Sequence, residues 1–164
     1  MDSCYGSDWY MGLYFALYGV MKVAISACLL GEKCRYDASD NEDIALLEKL
    51  KDAELIAFCP ENDAFGSPRP TMDLIATKEG HKAISNTTSE DLSTPVIAYA
   101  KAFFDKHADI ELFIGKDRSP SCGVCSARLY DEEKNLRSSE EAGLMAKEAL
   151  NRNIYCIDAE DFKG

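Results

Sequence analysis

The amino-acid sequence predicts an α/β protein, a small and mainly parallel sheet with helices on its faces in a Rossmann-like three-layer arrangement. Three observations carry this. Short, uninterrupted apolar runs recur along the chain, as in strands buried on both faces. Segments with helical spacing of apolar residues stand between them. The connections are short, and no internal repeat or low-complexity tract intervenes.

Val23 to Leu29 forms the first apolar run, closed by Gly31. Asp40-Asn41-Glu42-Asp43 supplies capping acids ahead of Ile44, Leu47 and Leu50, which share one helical face. Leu55 to Cys59 is a second buried strand stopped by Pro60, and Glu61 to Pro70 reads as loop. Thr94-Pro95 opens a helix with proline at its first position, and Val96, Tyr99, Ala100, Phe103 and His107 line its inner face. Ile110 to Ile114 is the third strand, followed by a loop from Gly115 to Gly123. Ser138 and Glu141 have capping-box spacing and introduce a helix running to Asn151, before a fourth strand at Ile154 to Ile157.

Composition excludes several classes. The chain is 46% hydrophobic, 10% aromatic and 29% charged, which is globular rather than disordered, collagenous or coiled-coil. With 18 basic and 29 acidic residues its net charge is −11, and no basic run suits a phosphate backbone. The expected partner is therefore a small molecule rather than nucleic acid, for a monomer or homodimer. The seven cysteines among 164 residues fall below the roughly 8–10% of a secreted disulfide scaffold, so a reducing cytoplasm is expected. The apolar stretch Met11 to Met21 is shorter than the roughly 20 residues that cross a bilayer, so no stable membrane span is expected. Residues 1–20 read as an N-terminal extension, either an over-extended start ahead of Met21 or an aromatic segment packing on the domain or on a membrane surface. Residues 21–164 read as one domain.

In parallel sheets, ligands bind outside the carboxyl ends of the strands. Cys28 ends the first strand, Cys59 the second, and Cys122 stands in the loop after the third, so three thiols share one rim. Burial alone accounts for a strand-interior thiol such as Cys156. For the rim set, three chemistries fit. Structural zinc would use Cys122-Gly123-Val124-Cys125 with Cys28 and Cys34, although the six-residue step between the latter two is not a knuckle spacing. A thiol redox or sulfur-carrier protein would use Cys122 and Cys125. An iron–sulfur cluster held by three thiolates would leave one iron without a protein ligand.

Four motifs in order narrow the choice: Ile25-Ser26-Ala27-Cys28-Leu29-Leu30-Gly31-Glu32-Lys33-Cys34-Arg35-Tyr36-Asp37, then Phe58-Cys59-Pro60-Glu61, then Pro68-Arg69-Pro70, then Arg118-Ser119-Pro120-Ser121-Cys122-Gly123. Together they resemble a bacterial family catalogued as domain of unknown function 523, whose best-understood branch contains thiouracil desulfidases. The resemblance covers Met21 to Tyr130, with a looser match beyond. It implies a [4Fe-4S] cluster on Cys28, Cys59 and Cys122, and non-redox removal of sulfur from a small thiolated heterocycle. The neighbours fit that scheme. Glu61, two residues after Cys59, is a candidate general base or water-orienting group, or else caps the following turn. Ser119 and Ser121 are candidates to hydrogen-bond substrate or cluster sulfurs, or else structural turn residues. Arg35 and Arg69 are candidates to bind a polar heterocycle or balance cluster charge, and Asp37 is a candidate to cap or to bind substrate. Cys34 and Cys125 add two thiols without an assigned role. Four departures touch the expected pocket: Ala38 replaces a usual glycine after Tyr36-Asp37, Ala64-Phe65-Gly66 stands where a glycine pair and leucine are usual, Asp73 replaces a usual glutamate, and Glu132-Glu133-Lys134-Asn135 replaces a glycine-rich turn.

Overall fold

The computed structural model describes residues 19–164; the expected extension, save Gly19 and Val20, lies outside them. The strands β1 (Lys22–Ser26), β2 (Glu54–Phe58), β5 (Leu112–Gly115) and β8 (Tyr155–Asp158) form one sheet in the order β2-β1-β5-β8. Every pairing in it is parallel. Its strands send alternate residues to opposite faces. Val23, Ile25, Leu112, Ile114 and Ile157 pack with Leu46 and Leu50 of the helix α1 (Ile44–Lys49) and its cap. Ala24, Phe58, Phe113 and Cys156 face the other way. There they meet Ala100, Phe103 and Phe104 of α3 (Ser93–Lys106) and Met145, Ala146 and Ala149 of α4 (Leu144–Asn151). Helices thus cover both faces, giving the expected α/β layering.

Aromatic packing fixes the second face. The rings of Phe58 and Phe113 stack at 4.8 Å, and Phe103 meets Phe104 edge-on at 5.3 Å. Asp43 caps α1 as expected, its Oδ1 accepting from the Leu46 amide at 3.0 Å.

A second sheet joins β3 (Met72–Thr77), β4 (Gly80–Ser85), β6 (Ala127–Tyr130) and β7 (Leu136–Glu141) in the order β4-β3-β6-β7. Its apolar face, including Leu74, Ala83 and Leu129, packs on Val96 of α3 and Leu144 of α4. The sequence reading did not anticipate this sheet.

Several boundaries differ from expectation. The first strand stops at Ser26, and Ala27–Leu30 forms a 3-10 turn closed by Gly31 at φ +90°. Pro60–Phe65, expected as loop, is the short helix α2, with Pro60 in its first turn where no intrahelical N–H is needed. The helix expected from Ser138 begins at Leu144, and Ser138 to Glu141 is strand β7. The Ser138 hydroxyl accepts from the Glu140 amide two residues on, a turn rather than a cap. Pro95 stands third in α3, still among the amides that lack helical partners.

Candidate active site

A cavity of about 420 Å³ opens beyond the carboxyl ends of β1, β2 and β5. Cys28, Cys34, Cys59 and Cys122 all line it, and all four are free thiols. Each reaches the wall by a different local device.

Cys28 rides the 3-10 turn after β1, where its carbonyl accepts from the amides of Gly31 and Asn41. The Asn41 side chain bonds its thiol. Cys59 follows β2 and stands at the N-cap of α2, its amide donating to the Tyr99 hydroxyl at 3.3 Å. Cys122 sits in the loop after β5, and the Ser119 hydroxyl accepts from its amide at 3.0 Å. Cys34 comes from the segment after the 3-10 turn, and its carbonyl oxygen lies 3.7 Å from the Cys59 sulfur. Burial pushes the Cys122 and Cys28 thiols up. Burial, followed by the neighbouring Cys59, pushes Cys34 up to about 12.

The Cys122 loop is clamped from three sides. Asp158, at the end of β8 and 2% exposed, accepts from the amides of Val124 and Cys125 and from the Ser126 hydroxyl, each at 2.8 Å. The first amides of α4 donate to the carbonyls of Pro120 and Ser121. Gly115 brings the β5 end so close that an added Cβ would lie 1.8 Å from the Cys122 carbonyl oxygen. Only glycine fits there.

Glu61 stands in the first turn of α2 and lines the cavity. Its Oε1 accepts from the Ser121 hydroxyl at 2.8 Å. Its Oε2 accepts from Arg69 Nε at 3.4 Å and Nη2 at 3.3 Å. The Arg69 side chain is only 6% exposed. Its Nη1 serves the carbonyls of Cys34 and Gly66 and the Ser67 hydroxyl. Arg69 therefore ties the Cys34 segment to α2 and aims Glu61, with one Nη2–H uncommitted.

The other expected site residues separate. Arg35 and Ser119 line the cavity. Arg35 donates to the Ser39 hydroxyl and lies over the Tyr36 ring at 5.4 Å, with no carboxylate partner among the described residues. Ser121 is fully buried behind Glu61 and is not part of the wall. Asp37 is exposed and outside the cavity; its carboxylate accepts from the Ser39 hydroxyl and amide, which hold its pKa below the usual carboxylate value. These bonds close the turn in which Ala38 takes φ +60°, so the left-handed geometry persists without glycine. Cys125, His81 and His107 do not line the cavity.

Sequence reasoning assigned no role to Asp158, Asn41, Tyr99 or Gly115, and left Cys34 open. The signal for Asp158 was present, an acid directly after the last apolar strand.

The donor set also sorts metals. A single zinc ion gathers its thiolates within about 2.3 Å of one point. No group of three ligating side chains converges on one point among the described residues. A cubane takes each thiolate on a different iron, so it suits ligands presented from three separate elements. The fourth wall thiol alongside Cys28, Cys34 and Cys122 is Cys59, not the Cys125 that the zinc arrangement requires.

Comparisons with known proteins bear on the family and the fold. A solved structure of the [4Fe-4S]-dependent thiouracil desulfidase TudS matches with a TM-score of 0.65 and 25% identity, over 85% of this chain and 91% of that one. No curated protein sequence matches. A family model described as 2-thiouracil desulfurase matches residues 23–161. The chain therefore belongs to the 2-thiouracil desulfurase family.

Proposed function

We propose that the protein is a cytoplasmic, [4Fe-4S]-dependent desulfidase that replaces the sulfur of a small thiolated heterocycle, such as a thiopyrimidine, with oxygen. The observation that carries this reading is the placement of Cys28, Cys59 and Cys122 around one cavity with Glu61 in its wall. Residues 21–164 form its catalytic domain. Cys28, Cys59 and Cys122 are the ligands in this proposal, and bound there the cluster supplies a Lewis-acidic iron without a protein ligand.

The remaining chemistry belongs to the chain. Hydrolysis exchanges C=S for C=O and releases sulfide, so no net electrons move and no reductant is needed. A carboxylate offers about four acceptor sites. Glu61 uses three, on Ser121 and Arg69. The fourth is available to accept a proton from the attacking water, making Glu61 the general base. Ser119 holds the Cys122 backbone, and Ser121 and Arg69 fix the carboxylate. Arg35, with a guanidinium unpaired by carboxylate, is the group for polar atoms of the heterocycle. Asp37 acts one step removed, by shaping the turn after Arg35.

The test is anaerobic reconstitution, followed by quantification of iron and acid-labile sulfide and assay of sulfide release from thiolated pyrimidines. About four irons per chain, a broad visible band and sulfide release support the proposal. Cys59→Ala is expected to lose iron and activity together. A colourless protein with stoichiometric zinc, unaffected by Cys59→Ala, would overturn it.

A further inference from the structure

We infer that Cys34 is the resolving thiol for Cys59, closing a reversible Cys34–Cys59 disulfide when the cavity holds no metal and a peroxide enters. The protective role of this disulfide rests on the proposal that Cys59 is a cluster ligand.

Four observations point to this pair. Three ligands leave one of the four wall thiols without a place in the cluster, and that thiol is Cys34. Of the four, Cys59 is half-buried while Cys28, Cys34 and Cys122 are 4–8% exposed, so an incoming oxidant meets Cys59 first. The Cys59 sulfur lies 3.7 Å from the Cys34 carbonyl oxygen, within hydrogen-bond distance for sulfur. Arg69 holds the Cys34 carbonyl at 2.9 Å and reaches Glu61 on α2, the helix that Cys59 caps. Both partners are thus tethered to one guanidinium.

The chemistry balances with hydrogen peroxide as oxidant. The Cys59 thiolate takes one oxygen from peroxide, giving a sulfenic acid and hydroxide. The Cys34 sulfur then attacks the Cys59 sulfur, an S–S bond forms, and the sulfenic oxygen leaves as water with the Cys34 proton. Two electrons pass from two thiols to one peroxide. A dithiol reverses the disulfide, whereas further oxidation of Cys59 to sulfinic acid is irreversible. The pair therefore spares a ligand during intervals between clusters.

The experiment treats metal-free full-length protein with hydrogen peroxide, blocks remaining thiols, and maps disulfides by peptide mass spectrometry. A parallel sample is reduced with dithiothreitol, and iron uptake of the untreated batch is measured separately. The expected result is a Cys34–Cys59 cross-linked peptide that reduction returns to free thiols. Cys34→Ser is expected to show Cys59 as sulfinic or sulfonic acid that reduction does not recover. A cross-link from Cys59 to Cys28 or Cys122, or equal irreversible oxidation of Cys59 in wild type and Cys34→Ser, overturns the inference. The wild-type map decides even where the variant does not fold. A Cys34–Cys59 cross-link in a batch that takes up no iron supports the pair and counts against the cluster. Iron uptake with a different cross-link does the reverse.

Discussion

Glu61 was recognisable from its place two residues after Cys59, but the groups that aim it were not. Ser121 is sixty residues away in sequence, and Arg69 reaches it only because the chain folds back after α2. That distinction gives a test of its role. If Glu61 accepts the water proton, Glu61→Gln should lower sulfide release by about 100- to 10,000-fold. Its iron content should hold, because Gln keeps the shape of the side chain and no thiol is touched. If Glu61 only braces α2 against Arg69, activity will instead fall in step with iron. Measuring both quantities on the same reconstituted sample separates the two roles. Cys34 teaches a related point. Its six-residue step from Cys28 fitted no knuckle spacing and left its role open, and its position beside Cys59 comes from Arg69, a tertiary contact that no local pattern encodes.

The four strands of the parallel sheet were legible because each carries a short apolar run, fully buried in β5 and only partly buried in the edge strand β2. The second sheet was not. Strand β7 reads Leu-Arg-Ser-Ser-Glu-Glu and buries none of its residues fully, so it has no apolar alternation to find. Its serine and glutamate imitate a capping box, while the real start of α4 is set by carbonyls of the Cys122 loop. Helix α2 was hidden for a different reason: six residues that begin with a proline offer too little periodicity. The contact between elements that matters most to the site is Asp158 on the Cys122 loop. It joins the end of β8 to the loop through three hydrogen bonds to one carboxylate. Hydrogen bonds to a charged group contribute about 1.5–3 kcal/mol each, and an amide would turn a donor toward at least one of these donors. Asp158→Asn should therefore cost about 2–4 kcal/mol of unfolding free energy in urea titration. Iron retention should fall as well, since the loop that presents Cys122 loses its anchor. A variant as stable as wild type would show that the α4 amides and Gly115 suffice to hold the loop.

Across the whole molecule, the three proposed ligands span residues 28 to 122 and come from the turn after β1, the cap of α2 and the loop after β5. An unfolded chain cannot bring these thiols to one cluster, so the cluster binds the native state alone and its binding energy becomes folding energy. Binding that saturates the native state a thousandfold above its dissociation constant adds about 4 kcal/mol of stability. For a domain of this size each kcal/mol raises the midpoint by about 2–4 °C, so loading should raise Tm by roughly 8–16 °C. The comparison needs matched ionic strength, because the net charge of −11 makes the compact state self-repelling and hence salt-sensitive. Calorimetry of loaded and metal-free protein under anaerobic conditions reads this difference directly. Cys59→Ala should abolish the shift, because two remaining ligands no longer join β1 to β2 through the cluster. An identical Tm with and without iron would mean that the iron sits outside the native cavity.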